Sequence, residues 1–209
     1  MVTPQFESGG SPVPNAAGSA KLALRDQLLT VRNRRPLVDR LTAAQQIAVH
    51  LGRAPEVRRA ATVAAYVAVG SEPGTAPLLE LLGAAGKRVV LPVLLPDGDL
   101  DWAAYAGDQA LQPVRFGLLE PVGPRLGPDA VATADVVLLP GLAVSGRGER
   151  LGRGGGSYDR ALGRVPVGTF TCVLLYDDEV GVDVPVEPHD RPVTAAVGPS
   201  GITRFAAAF

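Results

Sequence analysis

Between Gly141 and Gly156, seven of sixteen residues are glycine, at positions 141, 146, 148, 152, 154, 155 and 156. Arg147, Arg150 and Arg153 are interleaved with them, and Arg160 follows close behind. Glycines let backbone N–H groups approach an anion closely, and guanidinium groups grip oxygens two at a time. The segment follows the apolar run Asp135–Leu139 and leads into YDRAL, which has the composition of a helix. A helix start adds partial positive charge. These residue types suit the cradling of phosphates. A surface loop with solvated arginines has the same glycine content, so composition alone leaves both readings open. Position favours the cradle, because open α/β sheets hold ligands beyond the carboxyl ends of their strands. The loop holds no Gly-Lys-Ser/Thr and no G-x-G-x-x-G, so it is neither a Walker-type loop nor a dinucleotide fingerprint.

Other residues able to do chemistry are scattered. Lys21 and Arg25 stand one helical turn apart and share a face. Lysine is a rare choice here, 2 against 18 arginines among the 20 basic residues, which makes Lys21 informative. Glu72 follows an apolar run at a place where carboxylates often cap the next helix, but Thr75 is the better cap. Asp159 falls in a helix first turn, where the dipole favours an acid anyway. Asp190 alone reads as a loop acid, His189 as an orienting or structural residue, and Cys172 as core.

The elements that must position these residues follow from the pattern. Residues 1–19 are rich in Ser, Gly and Pro and read as a flexible tail. Residues 20–34 predict an amphipathic helix. A second helix is expected from Thr42, where Thr42 and Gln45 have capping-box form, to about Ala54. Buried strands are expected at 62–69, 88–94, 135–139 and 170–175, with a short one at 195–197. Between them lie a helix from Thr75 through Ala85 and a helical start at 155–163. Asp97-Gly98 marks a turn, after which 100–105 predicts a strand facing water on one side, within an irregular insertion over 97–128. Buried strands alternating with helices predict a three-layer α/β/α domain over 20–209 around a mostly parallel sheet.

The chain has 209 residues, 20 basic against 21 acidic, and 46% hydrophobic content, an ordinary globular composition. Near-neutral charge argues against a nucleic-acid partner, and no apolar run reaches the roughly 18 residues of a membrane helix. One cysteine permits no intrachain disulfide, and the first residues lack a secretory pattern. A soluble cytoplasmic protein is expected.

Pro140-Gly141-Leu142 followed by RLGRGGGSYDRAL at Arg150–Leu162 closely resembles the signature of the 5-formyltetrahydrofolate cyclo-ligase family. Further landmarks of that family occur in order. They are Lys21-x3-Arg25, SEPGT at Ser71–Thr75, GKRVVLP at Gly86–Pro92, FGLLEP at Phe116–Pro121 and His189-Asp190. The resemblance spans about residues 20–200 and implies a fold like that of sugar-phosphate isomerases and CoA-transferases.

The resemblance implies ATP- and magnesium-dependent closure of 5-formyltetrahydrofolate to 5,10-methenyltetrahydrofolate, releasing ADP and phosphate. A formamide oxygen leaves poorly, so the γ-phosphoryl group is moved onto it before nitrogen 10 attacks. ATP contacts are then expected from Lys21, Arg25 and the stretch Arg150, Leu151, Gly152, Arg153, Gly154, Gly155, Gly156, Ser157 and Tyr158. Folate contacts are expected from Val67, Glu72, Arg153 and residues 154–157, with the Glu72 carboxylate on donor nitrogens of the pterin. Magnesium ligation falls to Asp159 and Asp190, and the catalytic cations are Lys21 and Arg153. A monomer is expected. Two positions depart from the family pattern: Ser157 stands where a tyrosine is usual, and Val144-Ser145 where Phe-Asp is frequent. The competing readings are a non-catalytic nucleotide- or folate-binding homologue and a sugar-phosphate isomerase-like enzyme of the same fold.

Overall fold

The computed structural model describes residues 16–206. The chain runs α1 (Ala16–Asn33), α2 (Leu37–Arg53), α3 (Pro55–Arg59), β1 (Thr62–Ala64), α4 (Ala76–Ala84), β2 (Arg88–Leu94), β3 (Leu100–Ala104), β4 (Leu111–Pro113), β5 (Leu119–Pro121), β6 (Val136–Pro140), β7 (Ala143–Val144), β8 (Arg150–Leu151), α5 (Ser157–Leu162), β9 (Phe170–Leu174), β10 (Ala195–Gly198) and β11 (Gly201–Arg204).

Seven strands form one sheet in the order β11-β10-β9-β6-β1-β2-β3. The five inner strands are parallel, and β3 and β11 close the two edges antiparallel. Successive residues on the inner strands alternate between two cores. Val63, Val89, Val136, Leu138, Cys172 and Leu174 face α2, α3 and α4. Ala64, Val90, Val137, Leu139, Val173 and Leu175 face α5 and the 3₁₀ turn at Pro128–Thr133. Cβ atoms point to opposite sides at each step of a strand, so a near-continuous apolar run is what a sheet covered on both faces requires. Each fully buried Val or Leu contributes about 1.5–3 kcal/mol. The α/β class, the three layers and the parallel core are thus as expected.

Chain order among the five parallel strands makes β1 and β6 neighbours, with the connections on either side running in opposite directions. That is a topological switch point, and crevices form there beyond the carboxyl ends of the strands. Helix α1 does not lie on the sheet. Leu24, Leu28 and Leu29 pack on Leu142, Ala143, Leu151 and Val184, which places the helix across the β7–β8 hairpin.

Several local expectations are corrected. Helix α1 begins at Ala16, so residues 16–19 belong to it rather than to a tail; the rest of that segment lies outside the described residues. Helix α2 begins at Leu37, directly after Pro36, and not at Thr42. The Thr42 hydroxyl donates to the Val38 carbonyl at 2.9 Å, the backbonding of a mid-helix threonine rather than a cap. Strand β1 ends at Ala64; the Ala65 N–H still donates to the Val90 carbonyl at 2.9 Å, and the chain then continues to Val69 outside any strand. The 97–128 segment is less irregular than expected, since β3 joins the main sheet and β4 pairs with β5. Leu100–Ala103 are buried on both faces rather than one. Even the Asp101 carboxylate is enclosed, accepting from the backbone N–H groups of Trp102 and Gly127 at 2.6 and 2.8 Å.

Candidate functional site

A cleft of about 470 Å³ opens at the switch point. Its floor is the strand ends themselves: Tyr66 and Val67 after β1, Pro92 and Leu94 of β2, and Pro140 and Gly141 at the end of β6. All the residues expected to bind line this one cleft, namely Lys21, Arg25, Val67, Glu72, the whole of 150–159, and Asp190.

The glycine-rich segment divides in two. Gly146 and Gly148 lie in the turn between β7 and β8, away from the cleft, and Arg147 is exposed there. Ser145, one of the two departures from the family pattern, belongs to this turn, where its hydroxyl bonds Glu149. Only residues 152–156 form a loop over the cleft, running directly into α5. Gly154 at φ +102° and Gly156 at φ +68° adopt backbone that other residues take up only under strain. Ser157, the other departure, donates to the Gly98 carbonyl at 2.6 Å and ties the start of α5 to the Asp97–Gly98 turn.

Arginines fix the loop's shape from both sides. Arg25 of α1 donates to the Gly152 carbonyl at 2.9 Å. Arg150 is buried and engaged, with Nη1 on the Pro140 carbonyl at 3.1 Å and Nη2 on Asp159 Oδ1 at 3.0 Å. Arg153 is half exposed and turns the other way, its Nε donating to Glu72 Oε1 at 2.9 Å. Glu72 is therefore not the free carboxylate the sequence suggested, since its other oxygen accepts from Val69 N at 2.9 Å. Thr75 does hold the N-cap position of α4, but its hydroxyl accepts from Ala68 N instead of capping the helix. The Tyr158 ring lies under the Arg150 guanidinium, and burial pushes its phenol pKa well above the ordinary range.

Lys21 is buried at the cleft's far rim, although a lysine on a solvated helix face would be exposed. Its ammonium donates to Asp190 at 2.6 and 2.8 Å and to Glu187 at 2.8 Å. Burial alone would lower its pKa, but the two carboxylates outweigh that and hold it above its ordinary value. Burial pushes Asp190 upward, yet Lys21 and the Glu187 backbone N–H leave it below the usual carboxylate range. The Lys21 hydrogen bond likewise lowers Glu187.

Asp159 and Asp190, the expected metal pair, border the same cleft. Among the described residues, the group of three potential ligands whose atoms all lie within 4.8 Å of one another is Glu187, His189 and Asp190. His189 is two-thirds exposed beside these acids. The carboxylates are hard oxygen donors of the kind Mg²⁺ takes together with phosphate oxygens. The donor chemistry fits that ion.

Sequence reasoning missed Glu187, Tyr66 and the apolar wall of Leu118 and Leu119 with Glu120. FGLLEP already marked the last three, though nothing in it shows which way they face. Glu187 carried no signal at all, because proximity to Lys21 across 166 residues appears only on folding. No helix of the described residues is long and apolar enough to cross a membrane.

Residues 17–199 match the model of the 5-formyltetrahydrofolate cyclo-ligase family. A 5-formyltetrahydrofolate cyclo-ligase of Mycolicibacterium smegmatis is 43% identical over 143 residues, covering 66% of this chain and 73% of that protein. Its counterpart from Escherichia coli K12 is 36% identical over 166 residues, 76% of this chain and 88% of that one. The NMR structure of Aquifex aeolicus 5,10-methenyltetrahydrofolate synthetase superposes with a TM-score of 0.76 at 27% identity, covering 90% of this chain and 94% of that one.

Proposed function

Because the chain belongs to the 5-formyltetrahydrofolate cyclo-ligase family, we propose that it closes 5-formyltetrahydrofolate to 5,10-methenyltetrahydrofolate at the expense of ATP, releasing ADP and phosphate. The observation that carries this reading is one cleft that brings Lys21, Arg25 and the 150–159 stretch together with Val67, Glu72 and Asp190, with Arg153 bonded to Glu72 across it.

The formyl oxygen is a poor leaving group. It attacks the γ-phosphorus, ADP departs, and the carbon becomes an activated imidate-type centre. Nitrogen 10 then attacks that carbon and loses its proton, and phosphate leaves with the former formyl oxygen. Catalysis of this kind is mostly positioning and neutralisation of phosphate charge. Lys21 and Arg25 on α1 and the N–H groups of residues 152–156 hold the triphosphate in this reading. Arg153 stands between the two substrates, bonded to Glu72 on one side and free to reach the transferring phosphoryl group on the other. Glu72 takes the donor nitrogens of the pterin, with Val67 against the ring. Asp159 and Asp190, with Glu187 alongside, hold Mg²⁺, which supplies positive charge against the phosphate oxygens when bound.

The test is turnover of 5-formyltetrahydrofolate with ATP and Mg²⁺, followed by absorbance of the methenyl product and by ADP release. ATP-dependent product formation is the expected result. Binding without product would make the chain a non-catalytic homologue, and substrate that consumes no ATP sinks the ligase reading.

A further inference from the structure

We propose that Arg32 is a positioning residue that sets the ATP-holding and folate-holding segments in register with each other; this rests on the ATP-driven reading above. Arg32 lies on the same stripe of α1 as Lys21 and Arg25, at spacings of four and seven residues that keep one helix face. Lys21 and Arg25 reach the cleft, whereas Arg32 is wholly buried and touches neither the cleft nor solvent.

Its guanidinium joins separate pieces of chain. Nε and Nη2 donate to the two oxygens of Glu179 at 2.6 and 2.7 Å, and Nη2 also donates to the Gly141 carbonyl at 2.7 Å. Gly141 ends the β6 crossing and lines the cleft. Glu179, itself buried, accepts from Tyr176 N at 2.9 Å. The Tyr176 ring lies 5.6 Å from the Arg32 guanidinium and 4.0 Å from that of Arg35, and its hydroxyl donates to the Ser71 carbonyl at 3.2 Å. Ser71 immediately precedes Glu72. One arm of the network thus runs from α1 to the β6 end, and the other runs through Glu179 and Tyr176 to the turn that carries Glu72.

Stability alone does not account for the pair. A buried ion pair recovers its desolvation cost only with every donor satisfied, and an apolar pair of similar volume is often as stable. Here Arg32 Nη1 has no hydrogen-bond partner among the described residues. What the pair supplies and an apolar pair cannot is direction: bidentate bonding fixes the rotation and depth of α1, and with them the placement of Lys21 and Arg25.

The test uses two variants of the full chain, with nucleotide and folate affinities read by calorimetry as well as by KM. In R32M/E179L both charges go together, so no lone buried charge remains. The expected result is a cooperatively folded protein whose ATP and 5-formyltetrahydrofolate affinities both fall by about tenfold or more, as small misplacements of binding groups do. Wild-type affinities in the folded double variant overturn the proposal. Tyr176→Phe severs only the folate arm. It should weaken folate several-fold and leave ATP unchanged, and it decides the matter even if the double variant fails to fold. Equal loss of both ligands in Tyr176→Phe, or no loss of either, overturns the proposal. If wild-type protein binds both ligands without turnover, the ligase reading fails while the positioning test still stands.

Discussion

Glu72 carries the sharpest residue-scale prediction. Its two oxygens serve Arg153 and Val69 N, and in the proposed reading it holds the folate beside the nucleotide loop. Glu72→Gln should raise the KM for 5-formyltetrahydrofolate about five- to 150-fold, since a buried ligand donor left unmatched costs about 1–3 kcal/mol. The ATP dissociation constant should stay within about threefold, and equal loss of both ligands would show that Glu72 acts through Arg153 instead. At the opposite rim, Asp190→Asn or Asp159→Asn should cut turnover, and raised Mg²⁺ should restore part of it, because a lost carboxylate ligand mainly lowers metal affinity. Wild-type rates at limiting Mg²⁺ in both variants would remove the metal from these residues. The Lys21 contacts also give a pH dependence. A lysine held above its ordinary 10.5 stabilises the fold below that value and ceases to as pH climbs through its higher folded value. Carboxylates held below 4.5 and 3.8, as Glu187 and Asp190 are, stabilise above those values and cease to as pH falls through their lower folded ones. The link between α1 and the 187–190 turn should therefore persist through the neutral range and open at both extremes, in acid below those carboxylate values and in base above the ordinary lysine value of 10.5. Hydrogen exchange along α1 against pH reads this directly, and a Lys21→Met protein should lack the acid-side transition.

At the scale of elements, two glycines that look alike in the sequence are physically different. Gly154 has φ +102°, and an added Cβ would meet the Arg25 guanidinium carbon at 3.5 Å. Gly146 has ordinary backbone and nothing within 4 Å of its Cβ position. Gly154→Ala should cost about 1–2 kcal/mol in stability, from the positive φ rather than from crowding, and weaken ATP binding as the loop relaxes. Gly146→Ala should stay within about 0.5 kcal/mol and bind ATP as before. Denaturant melts paired with nucleotide titration separate the two. This difference marks how far the sequence was legible. Strands β2, β6 and β9 announced themselves because burial on both faces demands unbroken apolar runs. The start of α2 did not, because no side chain caps it and Pro36 alone stops the preceding turn, while Thr42 offered a plausible but unused cap. The burial of β3 was illegible for a similar reason: Asp101 reads as a solvent-facing residue until the Gly127 N–H arrives from 26 residues away to satisfy it.

Taken as a whole, the molecule gathers its site from nearly its full length. The residues that the landmarks marked do line one cleft, since motif residues were recognisable one by one. What stayed hidden was their pairing: Arg153 with Glu72, and Lys21 with Glu187 and Asp190, are contacts across 81, 166 and 169 residues that no local pattern encodes. Ligands held in this cleft as proposed should stabilise the fold globally, because the segments that line it lie so far apart. At about a hundredfold excess over its dissociation constant, ATP with Mg²⁺ should add about 2.7 kcal/mol, or roughly 5–10 °C in melting temperature for a chain of this size. A melt that does not move with nucleotide would place the binding energy elsewhere. The Lys21–Asp190 contact has a further consequence during synthesis. The ammonium of Lys21 leaves the ribosome 169 residues before its partner, a delay of roughly ten to thirty seconds at about 5–20 residues per second. Through that interval the emerging polypeptide lacks one wall of its cleft. Abortive translation products that stop short of Asp190 should accordingly be inert, unable to spend ATP in idle hydrolysis.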